Sequence, residues 1–192
     1  MIDVDKDQDD RSAENIVVGG IALAQGTHMC SFYTSDAGRT KLAVGFLADG
    51  LRQGSACHLL ANDASTRDVL AQLEQHVSDI QADIDAGRLV LQSYGDSIAA
   101  HLESVEAALI ASVRRGAQAI RVLGNVSESP FTTQSIDRIV QYEQDYERLF
   151  ARRFPLVTLC QYDARKYSGV ELCSVLNCHH DTFRYPVERL IF

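Results

Sequence analysis

Residues 30–51 read CSFYTSDAGRTKLAVGFLADGL. An apolar segment runs into a short polar loop, then Gly38-Arg39-Thr40. After it comes a run placing Ala43, Phe46, Leu47 and Leu51 on one helical face. A nucleotide-binding loop, G-x-x-x-x-G-K-[ST], sits at the same kind of strand–helix junction. Here Tyr33 stands at the first glycine position and Arg39 at the lysine position. A phosphate-wrapping loop needs glycines so that backbone N–H groups can turn inward, and a lysine to reach the terminal phosphates. Residues 33–37 contain no glycine and put Asp36 where phosphate charge would sit. Arg39 at a helix start keeps the makings of an anion site. An ATPase of this kind places a magnesium-holding Asp at the end of an inner strand; here the strand at 120–123 runs into Gly124-Asn125. The stretch therefore specifies a strand–loop–helix unit whose loop is not built for ATP hydrolysis.

Similar units follow. Strands are expected at 28–33, 56–60, 89–91, 120–123 and 156–160, and their continuous apolar character suits a parallel sheet covered on both faces. Helices are expected at 38–51, at 97–115 ending at Gly116, at 135–153 and at 168–177. Another is expected after Ser65 as N-cap, and a short one before Gly87. Alternation of this kind means an α/β domain with a mainly parallel sheet of about five or more strands. Residues 15–26, NIVVGGIALAQG, read as either a lid or an edge element. Ligands in such sheets bind beyond the carboxyl ends of the strands.

A chain of 192 residues suits one domain with a substantial core. Residues 1–14 are acidic and lack an apolar signal core, so they are expected as a disordered leader to a single domain over 15–192. No stretch approaches the roughly 20 apolar residues of a membrane span. Net charge is −8 and dense Lys/Arg clusters are absent; pairs such as Arg114-Arg115 and Arg152-Arg153 lie beside helix ends, which disfavours direct nucleic-acid binding. Five cysteines without a tight spacing describe reduced thiols in a cytoplasmic protein.

Five features together carry a family resemblance: His28-x-Cys30 before Phe32-Tyr33, the helix ending Phe46-Leu47-Ala48-Asp49-Gly50-Leu51, the strand Ile120-Arg121-Val122-Leu123-Gly124, Tyr142-Glu143, and Cys160-Gln161-Tyr162-Asp163. In this order they resemble the MEDS (methanogen/methylotroph, DcmR-type sensory) domain family, over roughly four-fifths of the chain. Asn125 and His179-His180-Asp181 stand where the family often has an acidic residue and His-Pro. The resemblance implies a three-layer KaiC/RecA-like sandwich without a working ATPase site. It further implies a role in sensing small hydrocarbon derivatives, passed to a separate signalling or DNA-binding partner, with a homodimer as one route for the signal.

His28 and Cys30, two apart on a strand, point to one side and could line a pocket with Cys160 at the tip of another strand. Cys178-His179-His180 diverge by roughly 100° each if helical, so they cannot easily share one ion. Glu143 falls on the apolar face of its helix, at i+4 from Ile139; it is either buried, and then protonated or paired with Arg121 or Arg39, or a boundary residue that reaches water. Residues 127–133, with Ser127, Ser129, Thr132 and Thr133, read as a pocket rim. The expected ligand residues are His28, Cys30, Tyr33, Ser35, Arg39, Thr40, Asn125, Glu143, Cys160 and Tyr162. Catalytic residues and cofactors are not expected. Three alternatives stay open: a nucleotide-binding relative using Arg39, a pure interaction module, and a metal or thiol-redox sensor drawing on His28, Cys30, Cys160, Cys178, His179 and His180.

Overall fold

The computed structural model describes residues 15–130 and 135–185. The acidic leader 1–14, the rim residues 131–134 and the terminal 186–192 lie outside the described residues. The chain forms β1 (Ile16–Val18), β2 (Ile21–Leu23), β3 (His28–Tyr33), α1 (Asp36–Arg52), β4 (Ala56–Leu60), α2 (Asp63–Leu73), α3 (Ile80–Asp85) and β5 (Leu89–Gln92). It continues through α4 (Ile98–Arg114), β6 (Ile120–Asn125), α5 (Ile136–Tyr146), β7 (Leu156–Asp163) and α6 (Gly169–Asn177).

β3 to β7 build one sheet in the order β3-β7-β6-β4-β5, with every pair parallel. Side-chain alternation divides the core into two. Met29, Leu59, Leu123, Val157 and Leu159 face α1, α2 and α3. Cys30, Leu60, Val122, Cys160 and Tyr162 face α4, α5 and α6. Both faces are thus covered, which is why these strands read as unbroken apolar runs. Each fully buried Leu or Phe contributes about 2 kcal/mol of transfer free energy. The result is the three-layer α/β sandwich expected from the sequence.

Some elements differ from the sequence reading. Asn62, whose side chain accepts from the Ser65 N–H at 2.9 Å, caps α2, and Ser65 lies inside the helix. The long fifth helix closes through a π-helical turn at Glu147–Ala151. β7 runs on to Asp163, so Cys160 sits within the strand rather than at its tip. Residues 16–23 form a separate antiparallel hairpin, turned by Gly19 and Gly20 with φ of 58° and 76°, where a Cβ would be strained. Arg121, fully buried, pins that hairpin: its guanidinium donates to Val17 O at 2.6 Å, to Asp49 Oδ2 at 2.7 Å and to Phe46 O at 3.1 Å.

Two arrangements position the sites. The outer edge of β3 is closed by side chains of the turn His180–Phe183: Asp181 accepts from His28 N at 3.0 Å and Thr182 from Cys30 N at 2.8 Å. This brings His179 against the sheet. The chain also leaves β4 for one face and β6 for the other, creating a crevice beyond the ends of these neighbouring strands.

Candidate functional site

Glu143 sits on the inward face of α5 with no exposure to solvent. The Tyr162 hydroxyl donates to its Oε1. Its Oε2 lies 3.3 Å from His28 Nε2, 3.3 Å from His179 Nε2 and 3.8 Å from Cys160 Sγ. Neither Arg121 nor Arg39 pairs with it: Arg121 holds Asp49 and Arg39 holds Glu128. Glu143 is also too deep to reach water as a boundary residue would.

The protonation of both imidazoles follows from their partners. His28 Nδ1 lies 3.1 Å from Glu147 Oε2 while its Nε2 faces Glu143, so each ring nitrogen meets a carboxylate. Ionised carboxylates only accept, so both nitrogens donate and the ring is an imidazolium. His179 Nδ1 donates to Val175 O at 2.8 Å, and its Nε2 lies at an ion-pair distance of 3.3 Å from Glu143 Oε2 without hydrogen-bond geometry, so its charge rests on the proximity of that carboxylate. Burial opposes the charge on His28, but Glu143 and Glu147 outweigh it and raise the pKa to about 9. For His179, burial and the neighbouring His28 oppose charge; Glu143 and the Cys30 thiol prevail, again giving about 9. Burial pushes Glu143 upward, yet His179 and His28 hold it well below the usual carboxylate range. Burial and Glu143 together push the Cys160 thiol far up, so it stays neutral.

Two imidazolium rings therefore balance two carboxylates, one of them half-exposed on Glu147. The rings of His28 and His179 meet edge to face at 4.4 Å, with Tyr146 5.1 Å from His28. The ligating atoms of His28, Glu143, Cys160 and His179 all lie within 4.8 Å of one another. That donor set suits a zinc-like ion, which would have to displace the ring protons.

Two surface depressions flank the cluster. One, of about 550 Å³, is lined by Cys30, Phe32, Tyr33, Leu42, Leu176 and Thr182. The other, of about 330 Å³, exposes the edge of the cluster between Thr27, His28, Glu147, Cys178 and Asp181. Cys30 joins the first depression to the cluster. It pairs in register with Cys160, receives the Thr182 hydroxyl at 3.6 Å and contacts His179.

The expected ligand residues thus fall into two groups. His28, Cys30, Glu143, Cys160 and Tyr162 gather around the buried cluster. Tyr33, Ser35, Arg39, Thr40 and Asn125 lie at the strand ends. There Tyr33 OH donates to Asn125 Oδ1 at 3.1 Å, Ser35 caps α1, and Arg39 and Thr40 share a bond at 3.4 Å. Of the run 178–180 only His179 turns inward; His180 is exposed, and Cys178 bonds Ser174 O at 3.5 Å. Glu147 and Glu128 were not among the expected site residues. Both had a visible signal: Glu147 lies one helical turn beyond Glu143, and Glu128 lies in the expected rim loop 127–133 after an inner strand.

The family model of MEDS, the MEthanogen/methylotroph, DcmR Sensory domain, matches residues 27–180. The chain belongs to the MEDS family. This MEDS domain is 30% identical over 177 residues to the transcriptional repressor DcmR of Methylorubrum extorquens, covering 92% of the chain and 67% of that protein. Its structure resembles the crystal structure of flagellar accessory protein FlaH from Methanocaldococcus jannaschii. The TM-score is 0.58 at 11% identity, over 81% of this chain and 69% of that one, a likeness of fold. Family and relative together support a sensory, regulatory role. Among the described residues no helix is long and apolar enough to cross a membrane.

Proposed function

We propose that this MEDS domain is a non-catalytic cytoplasmic sensor that binds a small organic molecule and regulates a transcriptional partner protein. The observation that carries the reading is the buried, charge-balanced cluster of His28, Glu143 and His179 next to a partly apolar depression that reaches it through Cys30. Buried ion pairs are seldom the best route to stability, and perturbed ionisable groups gather at functional sites. Phe32, Leu42 and Leu176 offer the apolar wall that a short hydrocarbon chain would take, and Cys30 and Tyr33 offer polar contacts to its head group. A ligand pressing on Cys30 acts on His179, which follows α6 and is paired with Glu143 of α5. The signal is then a change in α5–α6 packing. The neutral Cys160 thiol is a poor nucleophile, in keeping with a binding rather than a catalytic role.

Calorimetry against a panel of short haloalkanes, alcohols and ketones tests the reading. Saturable binding to one class, weakened by Cys30→Ala or His179→Ala, is expected. No saturable ligand, with tight partner binding in the ligand-free state, would sink it. A second reading rests on the four donors within 4.8 Å: a metal centre at the same place. Elemental analysis showing one zinc-like ion per chain, lost in Cys160→Ala, favours that reading.

A further inference from the structure

The strand-end residues of the opening stretch form a second built site, apart from the histidine cluster. Arg39, 7% exposed, aims its guanidinium across the crevice beyond β4 and β6. Its Nη1 donates to Glu128 Oε1 at 2.7 Å and to Ser65 Oγ. Its Nη2 reaches Thr40 Oγ1 at 3.4 Å and Asp68 Oδ2 at 3.5 Å. Ser65 Oγ in turn donates to Glu128 Oε1, and the backbone N–H of Asn62 donates to Glu128 Oε2 at 3.0 Å. One guanidinium, one hydroxyl and one backbone N–H therefore converge on a single carboxylate. This is the donor set by which proteins hold phosphate or carboxylate ligands. The Nε of Arg39 is buried and has no acceptor. The location is a topological switch point, where open α/β sheets bind ligands. A shallow depression of about 590 Å³, whose lining includes Asn62, Asp63, Arg67, Tyr94 and Glu128, opens on the outer side of Glu128, with Arg39 and Ser65 outside its lining.

We propose that Arg39, Ser65 and the Asn62 N–H form an oxyanion receptor that the chain keeps closed with its own Glu128 carboxylate, so that an external carboxylate or phosphate binds only by displacing Glu128. This explains how a loop at a phosphate-binding junction retains a buried cation without glycines or a lysine: the anion is supplied from within. A tethered carboxylate has a high effective concentration and outcompetes free anions. Glu128 lies on the connection from β6 to α5, the helix that carries Glu143 and Glu147, so opening the receptor loosens the segment leading into the sensory cluster. The proposal does not depend on the identity of the sensed molecule.

The test is Glu128→Ala in the whole chain, titrated with acetate, inorganic phosphate and ATP without metal. Binding of acetate or phosphate at least about tenfold tighter than by the native chain is expected, with loss of the gain in Arg39→Met/Glu128→Ala. Acetate tighter than phosphate assigns the receptor to carboxylates, and the reverse order to phosphates. Should Glu128→Ala fold poorly, anion rescue of its melting temperature or refolding yield reads the same quantity, and it must vanish in the double variant. Equal anion binding by native chain and Glu128→Ala, no binding or rescue by either, or a gain that survives loss of Arg39 overturns the proposal.

Discussion

Replacing Glu143 with Gln removes the carboxylate between two buried imidazoles while keeping its shape. The His28 pKa rises from 6.5 to about 9 on folding, as does that of His179. At about 1.4 kcal/mol per pKa unit, either ring accounts for about 3 kcal/mol of stability in its charged state, and the two share Glu143, so their contributions are not additive. Because the folded pKa lies above the unfolded one, this stabilisation is fully present below pH 6.5 and is lost as pH rises through 9. Glu143→Gln is therefore expected to lose about 3 kcal/mol at pH 6. The difference from the native chain should shrink as the native rings deprotonate toward pH 9.5. Urea unfolding at both pH values, with chelator present, measures the two differences. Imidazole NMR should show His179 titrating well below its native midpoint in the variant, with His28 less affected because Glu147 remains. A loss that is the same at pH 6 and pH 9.5, or below about 1 kcal/mol at pH 6, would refute the ion-pair reasoning.

Arg121→Met strands Asp49 and frees the β1–β2 hairpin, and is expected to cost at least about 3 kcal/mol; hydrogen exchange at Val17 to Ala22 should quicken even in chains that stay folded. Gly50→Ala would place a Cβ 2.6 Å from Cys57 Sγ and 2.7 Å from Arg121 Cδ; a loss of about 1–3 kcal/mol in chemical denaturation is expected. His58 is buried against Ser112 at 2.9 Å, and burial lowers its pKa from 6.5 to about 4. Stability is then lost as pH falls below 6.5 toward 4, because the unfolded chain takes the proton first. His58→Gln should flatten that slope by up to about 1.4 kcal/mol per pH unit.

The sheet was legible because its strands are buried on both faces, so runs such as Ala56–Leu60 and His28–Tyr33 stand out at full length. Helix starts were less legible. Asn62, Asp63 and Ser65 are all competent caps, and only the backbone geometry selects Asn62. Glu143 was legible as a carboxylate on an apolar face. Its partners were not, because His28 and His179 come from distant parts of the chain that helical spacing does not relate. For 178–180, the helical divergence of adjacent side chains does not apply, because α6 ends at Asn177 and the backbone turn at His179 directs that ring inward alone. The strand–loop–helix junction at 28–51 was legible, but the anion held by Arg39 was not, because it comes from Glu128, 89 residues away.

In the proposed sensor, the His28–Glu143–His179 cluster responds to a small organic ligand entering beside Cys30. The most direct measurement is imidazole NMR of His28 and His179 in the whole chain during titration with the haloalkane, alcohol and ketone panel. At least one compound is predicted to shift both rings saturably, with the effect lost in Cys30→Ala. Rings that remain unmoved while a compound binds elsewhere, or no response to any compound, would contradict the claim.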